Sequence, residues 1–271
     1  RTATKSMRSD DGESEITAAD SLKSFDSDGF TLGADSASGG INVNINTETM
    51  VAWCFKESAT AGFDIVGYSG NETNRTISHS LSAVPHLMII KNRDSSFQWV
   101  VYHHKNTSAP ETDYLYLSST AAPADFAGHF NDTAPTSSVF TVGTDTGVNK
   151  NSQNHISYLW SEKQGFSHFS SYIGNGSSDG VFCFTGFRPA WLLIKKTSAT
   201  EDWGLIDNKR DPNNDGASSQ LFPNGTNTED SSNDRADLLS NGFKLVTSSG
   251  QWNADGASYI YMAFAEQPFV N

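Results

Sequence analysis

Cysteine is nearly missing from this chain of 271 residues: Cys54 and Cys183 are the whole supply. Two thiols cannot build a disulfide scaffold. Basic residues are scarce as well. Eighteen Lys and Arg stand against 31 Asp and Glu, for a formal net charge of −13. That balance lacks the clustered cations that nucleic acid or an anionic membrane requires, so neither is an expected partner. No apolar run approaches the roughly 18 residues of a membrane span, and membrane insertion is not expected. Strong helix formers are thin, and no long helical period runs anywhere. The sequence holds no H-E-x-x-H, no Cys-x-x-Cys, no phosphate-cradling loop, no dinucleotide fingerprint and no Gly-x-Ser-x-Gly elbow.

What the chain does hold is 17 Phe, 8 Tyr and 6 Trp in an otherwise polar composition. Aromatic and β-branched runs alternate with Gly, Ser, Asn and Asp, which predicts many short strands joined by turns. Cys54 and Cys183 lie inside such runs, at 51–55 and 181–184. They are expected as two buried free thiols acting as small hydrophobes, with a disulfide between repeats as the alternative.

An internal repeat decides the architecture. Trp53-Cys-Phe-Lys-Glu57, Tyr158-Leu-Trp-Ser-Glu162 and Met262-Ala-Phe-Ala-Glu266 are one segment three times, at intervals of 105 and 104. Gly29-Phe-Thr-Leu-Gly33, Val139-Phe-Thr-Val-Gly143 and Gly242-Phe-Lys-Leu-Val246 are another. The front of the unit occurs twice: Pro85–Lys91 matches Pro189–Lys195, and Trp99 matches Trp203, both at an offset of 104. The reading is an all-β chain of tandem antiparallel β-sandwich units, jelly-roll or lectin-like, of about 105 residues. Residues 1–57 would be the back half of a first unit, 58–162 a second unit and 163–271 a third. Half a sandwich cannot bury its apolar face alone. The half is therefore expected to pair with missing upstream strands or to pack on a neighbouring unit or subunit. The chain begins in mid-pattern, with no initiator Met and no signal peptide, so it is read as a piece of a longer protein. In the first full unit, strands are expected near 62–68, 75–80, 86–92, 98–104, 113–118, 138–143 and 154–162. On the closing strand, Trp53 and Phe55, Tyr158 and Trp160, and Met262 and Phe264 share a face. That face is expected to be the core of each unit.

Glu57, Glu162 and Glu266 recur at one fold position in every copy, which points to a structural carboxylate rather than an acid–base pair. The seven histidines lack ligand spacing, and His103 and His104, as strand neighbours, should face opposite sides. The loop 207–216 is rich in oxygen donors, and Asp211 and Asp215 could hold Ca²⁺, but the spacing is not that of an EF-hand loop. No other cofactor is expected. Six N-x-Ser/Thr sequons, at Asn71, Asn74, Asn106, Asn131, Asn175 and Asn224, follow from a composition rich in Asn, Ser and Thr. Two equivalent clusters are the candidates for glycan or receptor contact: Trp99 with His103 and Arg93, and Trp203 with Asp207 and Arg210. Each tryptophan could instead be core.

The runs Phe130–Gly143, Ile90–Arg93 with Trp99–His103, Thr185–Trp191, Leu239–Leu245 and Tyr259–Glu266 resemble a repeated β-domain, tail-fibre-like, of virion proteins in tailed phages of marine bacteria. The resemblance covers nearly the whole chain from about Phe25. It implies a virion protein, lectin-like in architecture, without transferring any catalytic residue; a non-enzymatic protein on the exterior of the particle is the expectation. A tail-fibre adhesin that binds a host surface glycan is the leading expectation. A capsid decoration protein is the rival, and a polysaccharide depolymerase the third reading. Other virion proteins are the expected partners, with self-association as a trimer by analogy.

Overall fold

Runs of apolar residues broken by turn-formers should give short antiparallel strands. In the computed structural model, which describes residues 2–35 and 41–267, they make up nearly all of the regular structure, with three four-residue helices beside them. Two small hairpins come first: β1 (Lys5–Ser6) with β2 (Ile16–Thr17), and β3 (Leu22–Phe25) with β4 (Phe30–Leu32). The first full unit follows with β5 (Phe63–Ser69), β6 (Arg75–Ser78), β7 (Leu87–Asn92), β8 (Val100–His103), β9 (Asp113–Tyr116), β10 (Ala124–Asp125), β11 (Val139–Val142) and β12 (Asn154–Trp160). Its large sheet has the order β10-β9-β8-β7-β12-β5, and β6 pairs with β11 as a small one. The last unit has β13 (Ser167–Ile173), β14 (Phe182–Phe184), β15 (Trp191–Lys196), β16 (Trp203–Asp207), β17 (Ala236–Leu239), β18 (Gly242–Leu245) and β19 (Ser258–Phe264). Its sheets are β13-β19-β15-β16 and β14-β18-β17. Every paired strand is antiparallel. The seven segments expected in the first unit each contain a strand.

The repeat is written into the pairing. Tyr158 stands opposite Ile65 and Ile89; Met262 stands opposite Phe169 and Leu193, each 104 residues on. The turn that launches β5 explains the recurrent Gly-Phe. Gly62 has φ +74°, and a Cβ there would lie 2.4 Å from the Ser161 carbonyl oxygen. Gly165 takes the same φ in the last unit. Gly62→Ala is expected to destabilise the chain by about 1–3 kcal/mol, read as a lower urea midpoint, because both the left-handed backbone and the space favour glycine.

Packing departs from expectation in one respect. The face carrying Trp160 and Met262 is buried, but it is not the core within each unit. Trp160 packs with Trp203, Leu193, Leu205, Met262 and Phe264 in a core shared between the two large sheets. Each unit's own core lies on the opposite face. Leu159 joins Met88, Ile90, Phe140 and Val142; Ala263 joins Leu192, Ile194, Phe243 and Trp252. Alternation tells which side chains share a face, not what that face meets. Because the central strands are buried on both sides, β7 reads as a continuous apolar run ending in the buried Lys91.

The back half at 1–57 also differs. Its hairpin β3–β4 forms where the Gly29–Gly33 copy predicts a strand. Residues 53–57 do not form one, and Cys54 is exposed rather than buried. The corresponding β12 lies between β5 and β7, and β19 between β13 and β15. No such neighbours flank 53–57 among the described residues, and a strand without ladder partners is marginal.

Candidate functional site

The two predicted contact clusters face inward. Trp99 and Trp203 are 7% and 3% exposed. Their indole N–H groups donate to the Arg8 carbonyl at 2.6 Å and the Tyr116 carbonyl at 3.0 Å. A buried ring with a satisfied donor offers a sugar no face. His103 is also buried. Its Nε2 lies 3.2 Å from the Tyr261 carbonyl, and its Nδ1 accepts the Lys105 N–H at 3.1 Å, so it sits as the neutral Nε2–H tautomer. Burial, with His104 beside it, pushes its pKa down to about 3. His104, expected on the opposite side, also reaches the seam: β8 ends at His103, and His104 Nε2 bonds the Phe169 carbonyl at 2.8 Å. Arg93 is engaged by both oxygens of Glu15, at 3.0 and 2.9 Å.

Asp207 is 2% exposed. It accepts from the backbone of Lys209 and Arg210 at 2.9 and 3.1 Å, and from Arg210 Nε at 2.8 Å. Arg210 continues to Glu229 at 2.7 Å. The cluster staples its own loop. Farther along that loop, burial and the charge of Asp215 raise the pKa of Asp211. Among the described residues no group of three or more His, Cys, Asp or Glu is placed to hold a metal ion.

The three repeated glutamates have diverged. Glu57 is exposed. Glu266 pairs with Lys209. Glu162 lines a cavity of about 550 Å³ together with Gln164, Ser167, His168, Phe184 and Thr185. Its Oε2 lies 2.8 Å from His168 Nδ1 and accepts the Phe169 N–H at 3.3 Å. Partial burial would raise this carboxyl, but the hydrogen bond and charge of His168, with help from Phe169 N–H and His86, pull it below its usual range. It is therefore a fixed anion with acceptor capacity to spare.

Phe184 supplies the other wall. On β14, Cys183 points into the core while Phe182 and Phe184 point out, 44% and 62% exposed. The corresponding strand β6 buries Ile77 and presents Thr76 and Ser78. Of the two full units, only the last therefore carries outward aromatics on this strand. The cavity combines an exposed ring, one carboxylate, an imidazole, an amide and two hydroxyls. Such a set binds a ligand with an apolar face and hydroxyl groups around it. Hydrolysis of a glycoside would need a second carboxylate across the bond, and Glu162 is the one carboxylate in the lining. Sequence reading missed the site because Phe-Cys-Phe passes for a core run. The signal was available: the small residue, not the large ones, matches the inward Ile77.

A family model described as a domain of unknown function, DUF7483, matches residues 1–268. No curated protein matches the chain, and no solved structure does.

Proposed function

The chain belongs to the DUF7483 family, and we propose that it is a non-catalytic adhesion module on the exterior of a tailed-phage particle, holding a host surface glycan against Phe184. The observation that carries this reading is the exposed Phe184 ring beside Glu162, Gln164 and His168 in one cavity. A pyranose stacks its C–H face on the ring, and its hydroxyls donate to Glu162 and accept from Gln164 or His168. The likeness to repeated β-domains of phage virion proteins supports the particle and its exterior as the setting, with other virion proteins and further copies of the chain as partners.

Glycan-array binding by the purified chain tests the reading. Phe184→Ala should weaken the best ligand at least about tenfold, worth about 1.4 kcal/mol. Its thermal midpoint should change little, since the ring is mostly in solvent. Binding that survives Phe184→Ala and Glu162→Gln would rule out this cavity. Electron microscopy of labelled particles separates tail from shell; label on the shell would favour a decoration protein instead.

A further inference from the structure

Three pieces of the chain, not two, hold equivalent stations. Trp99 donates to the Arg8 carbonyl and Lys91 Nζ to the Gly12 carbonyl at 3.0 Å. In the last unit, Trp203 donates to the Tyr116 carbonyl and Lys195 Nζ to the Thr120 carbonyl at 3.2 Å. Each acceptor pair is four residues apart. Residues 8–12 therefore serve the first full unit as 116–120 serve the last.

The third acceptor pair is present without its donors. Ser118 Oγ accepts the backbone N–H of Trp99 at 3.2 Å, and Asn224 Oδ1 accepts the backbone N–H of Trp203 at 2.8 Å. Asn224 is thus the counterpart of Ser118, which makes Phe222 and Thr226 the counterparts of Tyr116 and Thr120. Among the described residues no Trp or Lys side chain donates to either. The Phe222 carbonyl takes a turn bond from Gly225 N–H at 3.0 Å.

The order of contacts closes on itself. His103 of the first full unit bonds the closing strand of the last unit at Tyr261. Asp207, the counterpart of His103 at an offset of 104, bonds Trp53 at 3.2 Å. Trp53 belongs to the closing segment of the N-terminal half unit. The half unit touches the first full unit, that touches the last, and the last returns to the half unit. A head-to-tail contact that returns after three stations makes a ring rather than a filament.

The stations also converge in space. Phe55 lies 6.0 Å from Trp160 and 5.1 Å from Phe264, its two repeat counterparts, between ring centroids. Ser9, Leu117 and Pro223, another equivalent trio, line one cavity of about 370 Å³. Ile89 and its counterpart Leu193 also reach that cavity; a third counterpart is what it lacks. Trp160 and Trp191 line it too, and their buried indole N–H groups have no partner. Residues 49–57 make no backbone–backbone hydrogen bond among the described residues.

We infer that the two large sheets are two sides of a three-sided prism, and that the open side takes a third copy of the repeat's front half. Its strands, patterned like β5 to β8, pair with both edges of 51–57. The counterpart of Ile89 fills the cavity. Its Trp and Lys donate to Phe222 and Thr226. This rests on the repeat equivalences alone and stands or falls apart from the Phe184 cavity.

The test joins a second copy of residues 58–108 ahead of residue 1 and compares this extended chain with the parent by hydrogen exchange and light scattering. Amides at 51–57 should exchange almost freely in the parent and at least about a hundredfold more slowly in the extended chain. The extended chain should also melt higher and stay monomeric. Unchanged exchange at 51–57 overturns the inference, whether or not the added segment is folded. Protection in the parent that grows with its concentration also overturns it, by giving the face to a second copy.

Discussion

Trp203→Ala is expected to lower the unfolding free energy by about 3–5 kcal/mol, the range for losing a large aromatic from a packed core. The ring is 3% exposed and packs with Trp160, Leu193 and Met262 between the two large sheets. Its N–H is the bond that ties the last unit to Tyr116 of the first. Truncation leaves both a cavity and a carbonyl without its donor. Trp203→Phe keeps most of the packing and loses only the bond, so about 1 kcal/mol is expected. Urea unfolding of the three proteins measures both numbers. A Trp203→Ala protein as stable as the parent but deficient in glycan binding would mean that the ring faces solvent, against the structure.

The tryptophan pair shows how far sequence carries. The offset of 104 made Trp99 and Trp203 equivalent, and the structure gives them equivalent bonds to Arg8 and Tyr116. Their exposure was not legible. A strand with one solvated face and a strand buried on both faces differ only in what packs beyond the sheet, and a single chain's periodicity carries no trace of that neighbour. The same ambiguity turned the Trp160 face from a core within a unit into a core between units. Strand positions were legible because turn residues fix where strands end. Residues 53–57 were misread because a strand is a property of its partners as much as of its own alternation. Phe184 is hard to read for the converse reason: aromatics in an apolar run resemble core residues, although a buried Cys183 turns its two neighbours outward.

Acidification is expected to loosen the seam between the two full units well before most carboxylates titrate. His103 and His104 belong to the first unit and bond the Tyr261 and Phe169 carbonyls of the last. Burial, the dominant cause for both, lowers their folded-state pKa values to about 3 and about 4, from an ordinary 6.5. Above pH 6.5 neither the folded nor the unfolded chain protonates them, and they contribute no pH dependence. Between pH 6.5 and about 3 the unfolded chain takes up protons that the folded one refuses, so stability falls as pH falls. For His103, enclosed on all sides, the full loss is on the order of 5 kcal/mol. His104 is more open to solvent and contributes less. Glu162, His168, His86 and Lys105 face the same seam. Glu162 acts in the same direction, because the stability gained from its lowered pKa also disappears as pH falls through that pKa. His103→Gln can still donate to Tyr261 but cannot charge. Its melting temperature should therefore drop less than the parent's between pH 7.5 and 4.5. Equal slopes in the two proteins would remove His103 from the account. Because the Glu162–His168 cavity lies along the same seam, ligand affinity should decline over that interval in the parent, and ahead of global unfolding.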